Sequence, residues 1–480
     1  MNTRAQVLLD LPKSGGTIKL PDPGVLAMTN RILVLTLLGC LGIAGPARLS
    51  DGEPEWKVGL AQIKITPAKP VFLSGYASRT KPFVKIENDL FAKALAIEDR
   101  AGNRAVLVTS DILGFPADIA EPICAAISKK TALKREQILL NSAHTHTGPM
   151  LSLKPGPRGA MTAADADRTV EYTRDLQAKV VQVVVQALSR MEPARLSSGS
   201  GVVHFVMNRR QFIPGEVILG ANPRGLADRT VPVLRIDSPQ GKLRGVLFGA
   251  AVHNTTLIPS NYELCGDYAG FAQEYIQQQN PDAQAMFILG CAGDADPYPR
   301  GSMKLAREHG LTLGKEVCRV LATKLRPVRG PLTVALEKTD LPLQKLSAAE
   351  LKEMAGRKRG IQPGIARQML AMLERGEKLP ESYRCPFAVW QFGKDLTLVG
   401  LSGEVVVDYV PLLEKALGPT NLWLAAYCND VYGYLPSARV IAEGGYETRG
   451  IYAGGIGFFD SSAQDVVVRT IQALAKKAGR

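Results

Sequence analysis

Three apolar runs in this chain stop abruptly in groups that carry chemistry, and that pattern limits the folds open to it. "ILLNSAHTH" ends in His144 and His146, "LFGAAVHNTT" contains His253, and "LTLVGLSGE" ends in Glu404. Such runs read as buried strands, and the point where a buried strand breaks into a loop is where sites are built. Between them lie segments such as "ADRTVEYTRDLQAKVVQVVVQALSRM", with apolar residues at the three- and four-residue spacing of a helix. The combination predicts an α/β fold: layered mixed β-sheets flanked by helices.

The spacing of the first histidine pair sharpens this expectation. In a strand, positions i and i+2 face the same side, so His144 and His146 are expected to point into one small volume. That is how a metal site begins.

The chain has 480 residues, 46 % of them hydrophobic, enough for one large core or two modest ones. No heptad, fixed-period repeat or low-complexity tract argues for a fibrous or disordered protein. "EWKVGLAQIKITP" reads as the opening strand, and "FAKALAIED" and "RAVLVTSDIL" as a hairpin closed by "RAGN". Alternating strands and helices are expected from there to about Leu325. Residues 345–380 differ: "SAAELKEMAGRKRG" and "PGIARQMLAMLERGEKLP" predict two polar helices, an inserted arm. A further hairpin turns at "GKD", and "SAQDVVVRTIQALAKKA" closes the chain as a helix. One catalytic domain is expected over about 55–475.

Residues 1–47 read as an N-terminal extension plus a signal peptide. From Arg31 a single positive charge precedes about a dozen apolar residues and then small ones, and Met28 is the expected start. The stretch is too short to span a membrane comfortably. Export to the periplasm or beyond is therefore expected, with cleavage after Ala44 or Ala47; "LLGC" makes Cys40 a weaker candidate for lipid attachment. The six remaining cysteines, Cys124, Cys265, Cys291, Cys318, Cys385 and Cys428, form no CxxC pair, which argues against a zinc knuckle and leaves any disulfide unassigned. The net charge of +13 is spread among acidic residues. A solvated surface is its ordinary meaning, and peripheral attraction to an anionic membrane surface the next. No aromatic-plus-basic motif points to nucleic acid, and no protein partner is indicated.

Of the five histidines, His309 sits in a helix with polar neighbours and reads as surface, while His204 reads as packed core or surface. His253 is open between a satisfied core residue and a ligand. Glu404 follows a Gly turn, where a carboxylate is costly to bury unless it binds something. Tyr432, Tyr434 and Tyr446 crowd among glycines. Together these residues make a candidate His/His/Glu/Tyr set.

The elements "NSAHTHTGP", "AAVHNTT", "GCAGDADP", "LSGE" and "NDVYGY…GGYE", in this order, resemble the neutral ceramidases, secreted zinc amidases that split N-acyl sphingosine. The likeness spans most of residues 57–470. It implies one Zn2+ per chain, held by His144, His253, Glu404 and Tyr434. It also implies that His146 stabilises an oxyanion or shuttles a proton, that Arg209 holds the polar end of a lipid or other small-molecule substrate, with Arg210 as the neighbouring alternative, and that Tyr446 is a second active-site tyrosine. Zinc would lower the pKa of its bound water to about 7 and polarise the amide carbonyl.

Two departures from that pattern matter. Where the family has serine after Gly-Asp-x, this chain has Asp296, which is open to being a base, a binder of a cationic amine, a metal ligand, or the mark of lost activity. Asp294 and Asp296 together also read as an Asp-x-Asp cation site or a turn. The chain stops at Arg480, so the immunoglobulin-like C-terminal domain of the family is expected to be absent. The leading expectation is a secreted zinc hydrolase that cleaves an amide of an N-acylated lipid or related amine. A non-catalytic descendant that binds a lipid or glycan is the alternative.

Overall fold

A computed structural model describes residues 55–357 and 362–480. The expected leader, with Met28, Cys40, Ala44 and Ala47, lies outside the described residues, as does the short break inside the 345–380 arm. The opening strand is Trp56–Lys64, and it pairs antiparallel with Phe91–Asp99, which forms the expected hairpin with Arg104–Ser110. These join a sheet of nine described strands whose outermost members are Ile138–Ser142 at one edge and Gln284–Leu289 at the other. A second sheet holds Leu332–Pro342, Ser382–Phe392, Leu396–Gly400 and Leu422–Ala425.

The two sheets pack face to face. Trp56, Leu107, Leu139 and Met286 of the large sheet share one apolar cluster with Trp390, Leu398 and Trp423 of the smaller one. Helices Ala117–Thr131 and Ala163–Ser189 cover part of the large sheet's other face through Ile123, Leu176, Val180 and Val184. Helix Ala463–Lys477 covers the small sheet through Val467, Ile471 and Leu474. Apolar residues buried on both faces of a strand demand this helix–sheet–sheet–helix layering. The layered mixed α/β architecture is the one expected from the sequence.

One segment departs from the expected alternation. Between Glu192 and Ala250 the chain makes five consecutive strands with no helix, two of which, Val206–Ile213 and Glu216–Asn222, lie outside the large sheet as a hairpin that Ala295–Pro297 extends to a three-stranded sheet. In the 345–380 region, helices Ala348–Gly356 and Gln362–Glu374 share a small apolar cluster in which Leu351, Ile365 and Met369 meet Phe458. The six described cysteines are all free. No described helix is long and apolar enough to cross a membrane.

Asn141 is the joint that brings the site together. Its Oδ1 accepts from Leu289 N (3.2 Å), and its Nδ2 donates to Ala426 O (2.7 Å). One side chain thus ties both edges of the large sheet to the end of a strand in the small one. Each edge strand runs parallel to its neighbour, and a Thr145–Asn254 bridge joins the chain just past the carboxyl ends of Ile138–Ser142 and Leu243–Ala250, the kind of place where open α/β sheets bind ligands.

Candidate metal centre

The histidines converge because of a turn rather than the strand pleat. The Ile138–Ser142 strand ends two residues before His144, which adopts a left-handed φ of 60°. A non-glycine residue held there is strained, and such strain concentrates at functional sites. Thr145 then pairs in a parallel bridge with Asn254, four residues past the end of the Leu243–Ala250 strand, and His146 N donates to Asn254 O (3.2 Å). The expectation that His144 and His146 share a volume holds; the same-face strand argument for it does not.

The ring nitrogens of His144, His146 and His253 supply ligand atoms that all lie within 4.8 Å of one another. Glu404 joins them from the small sheet. Gly403 precedes it at φ 80°, where an added Cβ would strike the Tyr432 ring, so only glycine permits this turn. Glu404 also pairs in parallel register with Tyr434, which sets the carboxylate beside the phenol.

The donor set fits a divalent cation. Nδ1 of His144 lies 2.6 Å from Leu113 O, and Nδ1 of His253 lies 2.6 Å from Ala292 O. A carbonyl only accepts, so the proton of each neutral ring is on Nδ1, and Nε2 presents a lone pair. Those lone pairs face Glu404 Oε2 at 3.1 Å and 3.0 Å respectively. Burial, reinforced by the charge of Arg209, pushes His253 down to about 4, so it is neutral at neutral pH. Burial alone would raise the Glu404 carboxyl, and only positive charge at the His144 and His253 position, which neutral rings do not carry, holds it well below its usual value. A carboxylate wedged between two lone pairs calls for a cation among them. His146 is consistent with that: both ring nitrogens are buried without a hydrogen-bond partner, and burial, then the other two histidines, holds it well below its usual pKa.

Around the histidines the polar groups are tightly paired. Arg209 spends four donations on the protein: to Glu447 Oε1 (3.0 Å), Asp296 Oδ1 (3.2 Å), Gly293 O (2.7 Å) and Tyr434 Oη (2.9 Å). Asp296 is further held by Thr255 Oγ1 (2.9 Å) and by Arg300. Burial would raise its carboxyl, yet Arg209 and Arg300 keep it below the ordinary carboxylate range. Asp294 serves other partners, accepting from Val407 N (2.7 Å) and Asn208 Nδ2 (3.1 Å), so the two acids do not form one cation site. Arg210, the neighbouring alternative to Arg209, bonds Glu447 (2.7 Å) and Glu443 (3.1 Å) instead. Tyr446 packs edge-on against Tyr434 at 5.7 Å.

The remaining sequence candidates resolve as follows. His204 is exposed. His309, expected at the surface, is buried: it stacks on Phe205 at 4.6 Å, and Nε2 bonds Pro299 O (2.7 Å). Tyr432 is a core residue. Several neighbours of the centre carried no sequence signal. Tyr452 bonds Glu404 Oε1, Tyr427 packs on His144 at 4.6 Å, and Tyr76 packs on His146 at 4.7 Å. Arg79 donates to His146 O (2.5 Å). A Cβ on Gly75 would collide with the His146 ring, so the backbone itself walls that imidazole.

A family model described as neutral/alkaline non-lysosomal ceramidase, N-terminal, matches residues 56–341. Neutral ceramidase A of Dictyostelium discoideum is 24 % identical over 282 residues, covering 54 % of this chain and 38 % of that protein. Neutral ceramidase of Drosophila pseudoobscura pseudoobscura is 22 % identical over 288 residues, 57 % of this chain and 40 % of its own. The chain thus spans less than half the length of these curated relatives. The crystal structure of neutral ceramidase from Pseudomonas aeruginosa superposes with a TM-score of 0.67 at 20 % identity, over 88 % of this chain and 74 % of that one. The superposition extends the shared fold beyond the sequence match, which stops before Glu404 and Tyr434. This chain belongs to the neutral/alkaline non-lysosomal ceramidase family.

Proposed function

We propose that the chain is a zinc-dependent hydrolase of linear amides, acting on an N-acylated lipid of the ceramide kind or a related N-acyl amine. The observation that carries this reading is the pair of Nε2 lone pairs, each fixed by its own Nδ1 hydrogen bond, that close on the Glu404 carboxylate. His144, His253 and Glu404 would hold the ion, with Tyr434 beside Glu404 as the fourth donor. Zinc, when bound, supplies a Lewis acid and a water of lowered pKa.

The other groups have assignable tasks. His146 has two unpaired ring nitrogens and a depressed pKa, so it starts neutral, takes a proton at a ring nitrogen and returns it to the leaving amine. Asp296 stays ionised between two arginines, which makes it a weak base and a good anchor for Arg209. Arg209 in turn orients the Tyr434 hydroxyl, and Tyr446 walls the same side.

The test is metal analysis and amidase assay on one preparation. About one zinc per chain is expected, with N-acyl sphingosine or N-acyl amine turned over and turnover lost on chelation. Protein that neither retains nor regains zinc would sink the reading. Asp296, in place of the family serine, favours a second reading, a descendant that binds a lipid or glycan without cleaving it; zinc-loaded protein that binds such ligands with no turnover would establish that instead. We also propose that residues 28–47 direct export, and that the basic surface contacts anionic membranes. The mass of the mature chain from a periplasmic fraction tests the first, and vesicle sedimentation the second.

A further inference from the structure

Arg449 stands beside the metal centre without an acidic partner. Its guanidinium carbon lies 3.8 Å from the centroid of the Tyr446 ring, 5.1 Å from Tyr434 and 5.3 Å from Tyr452. Those rings belong to the centre: Tyr452 bonds Glu404, and Tyr434 stacks on His253 at 6.5 Å. A single layer of tyrosine therefore separates Arg449 from the histidines. Arg449 and Tyr446 are half-buried and Tyr452 is 37 % exposed, so this side of the centre meets solvent.

The charges nearby are otherwise balanced. Glu404 faces two histidines and Tyr452, Glu447 is shared by Arg209 and Arg210, Asp296 by Arg209 and Arg300, and Glu443 by Arg210 and Arg439. Among the described residues no hydrogen bond or ion pair engages Arg449, and its buried Nε has no acceptor. A partly desolvated cation with empty donors is costly, and tyrosine faces offset only part of that cost. Arg209, four of whose N–H bonds end on the protein, has little left for a ligand. Arg449 has its whole fork, held by the rings.

We propose that Arg449 sets the specificity of this site by receiving a carboxylate on the amine half of the substrate, so that N-acyl amino acids are preferred over neutral N-acyl amines. A planar guanidinium matches a carboxylate through two parallel N–H bonds, which a hydroxyl cannot reproduce. The acyl half of such amides is apolar and offers the arginine nothing. The inference rests on the amide-hydrolase reading for turnover, but not for binding.

The experiment compares N-dodecanoylglycine with N-dodecanoylethanolamine, which carries a neutral hydroxymethyl group in place of the carboxylate. With the zinc-loaded full chain, kcat/KM is expected to favour the glycine amide by about 10- to 100-fold. Arg449→Met should collapse that ratio towards one, chiefly by raising KM for the anionic amide, and Arg449→Lys should restore part of it. Calorimetric binding to the His146→Ala protein separates the two readings. If the zinc-loaded wild-type chain cleaves neither amide while the His146→Ala protein binds the glycine amide more tightly and Arg449→Met abolishes that difference, the hydrolase reading fails and the anion site stands. Equal affinity and equal turnover for both amides, binding of neither, or a preference that survives Arg449→Met in folded protein overturns the anion site.

Discussion

Nε2 of His253 lies 3.0 Å from Oε2 of Glu404, with no proton available on that nitrogen because Nδ1 is committed to Ala292 O. The contact is favourable only with a cation in place. Glu404→Gln replaces the charge with an amide whose N–H can satisfy a histidine lone pair directly. Zinc affinity is expected to fall by more than the 10- to 100-fold of an outer-shell change. The zinc-free variant should resist urea better than zinc-free wild type, because an uncompensated buried charge has gone. Competition with a chromogenic chelator, followed by urea unfolding of both stripped proteins, checks it. Unchanged zinc affinity would rule the carboxylate out as a ligand.

His146 and His253 should separate by phenotype. His253→Ala removes a lone pair aimed at Glu404, so metal and turnover are both expected to disappear. His146→Ala should keep the metal and lose about 10²- to 10⁴-fold in kcat, the usual worth of general acid–base help. Zinc content and kcat measured on the same samples decide the matter. Loss of zinc in both variants would make His146 a third histidine ligand, an arrangement the cluster geometry also permits.

Gly75→Ala tests whether the backbone wall positions His146. The substitution places a methyl against the imidazole and strains a residue at φ 89°. Such a conformation costs about 1–3 kcal/mol for a non-glycine residue. Folded protein with near-normal zinc, lower stability and at least tenfold lower kcat is expected. Wild-type turnover would show that His146 does not depend on that wall.

The strands and the residues at their ends were legible because burial on both faces leaves unbroken apolar runs, as in "AVLV" and "ILL", and because a costly group after such a run stands out. The Glu192–Ala250 strands were harder to read. "ARLSSGSGVVHF" is rich in serine and glycine, and its strand is fixed by partners distant in sequence such as Thr230–Asp237 and Arg326–Val328 rather than by local propensity. His309 looked exposed because its helical neighbours are polar, but helix Met303–Leu321 turns that one residue onto Phe205. Arg449 and Tyr452 were hidden in "ETRGIYAGG", an aperiodic loop whose placement depends on the Ile451 bridges to Gly433 and Gly457.

Asp430 links the centre's scaffold to pH. Its carboxyl is buried, and burial pushes it up to about 7, although the Tyr383 hydroxyl at 2.8 Å and backbone contact with Ala117 pull the other way. An unfolded aspartate titrates near about 3.9. Between those values the folded state holds a proton that the unfolded state has released, so stability must fall as pH rises through this window. The group's contribution is fully present below about pH 4 and lost above about 7. Asn at this position keeps an acceptor for Tyr383 and cannot ionise, so Asp430→Asn should flatten the decline by up to about 1.4 kcal/mol per pH unit. Urea unfolding of zinc-free protein at half-unit steps from pH 4.5 to 8 measures both slopes. Asp294, also raised to about 7 by burial, stays in both proteins and leaves the residual slope. Parallel curves for the two proteins would mean that Asp430 is ionised in the fold.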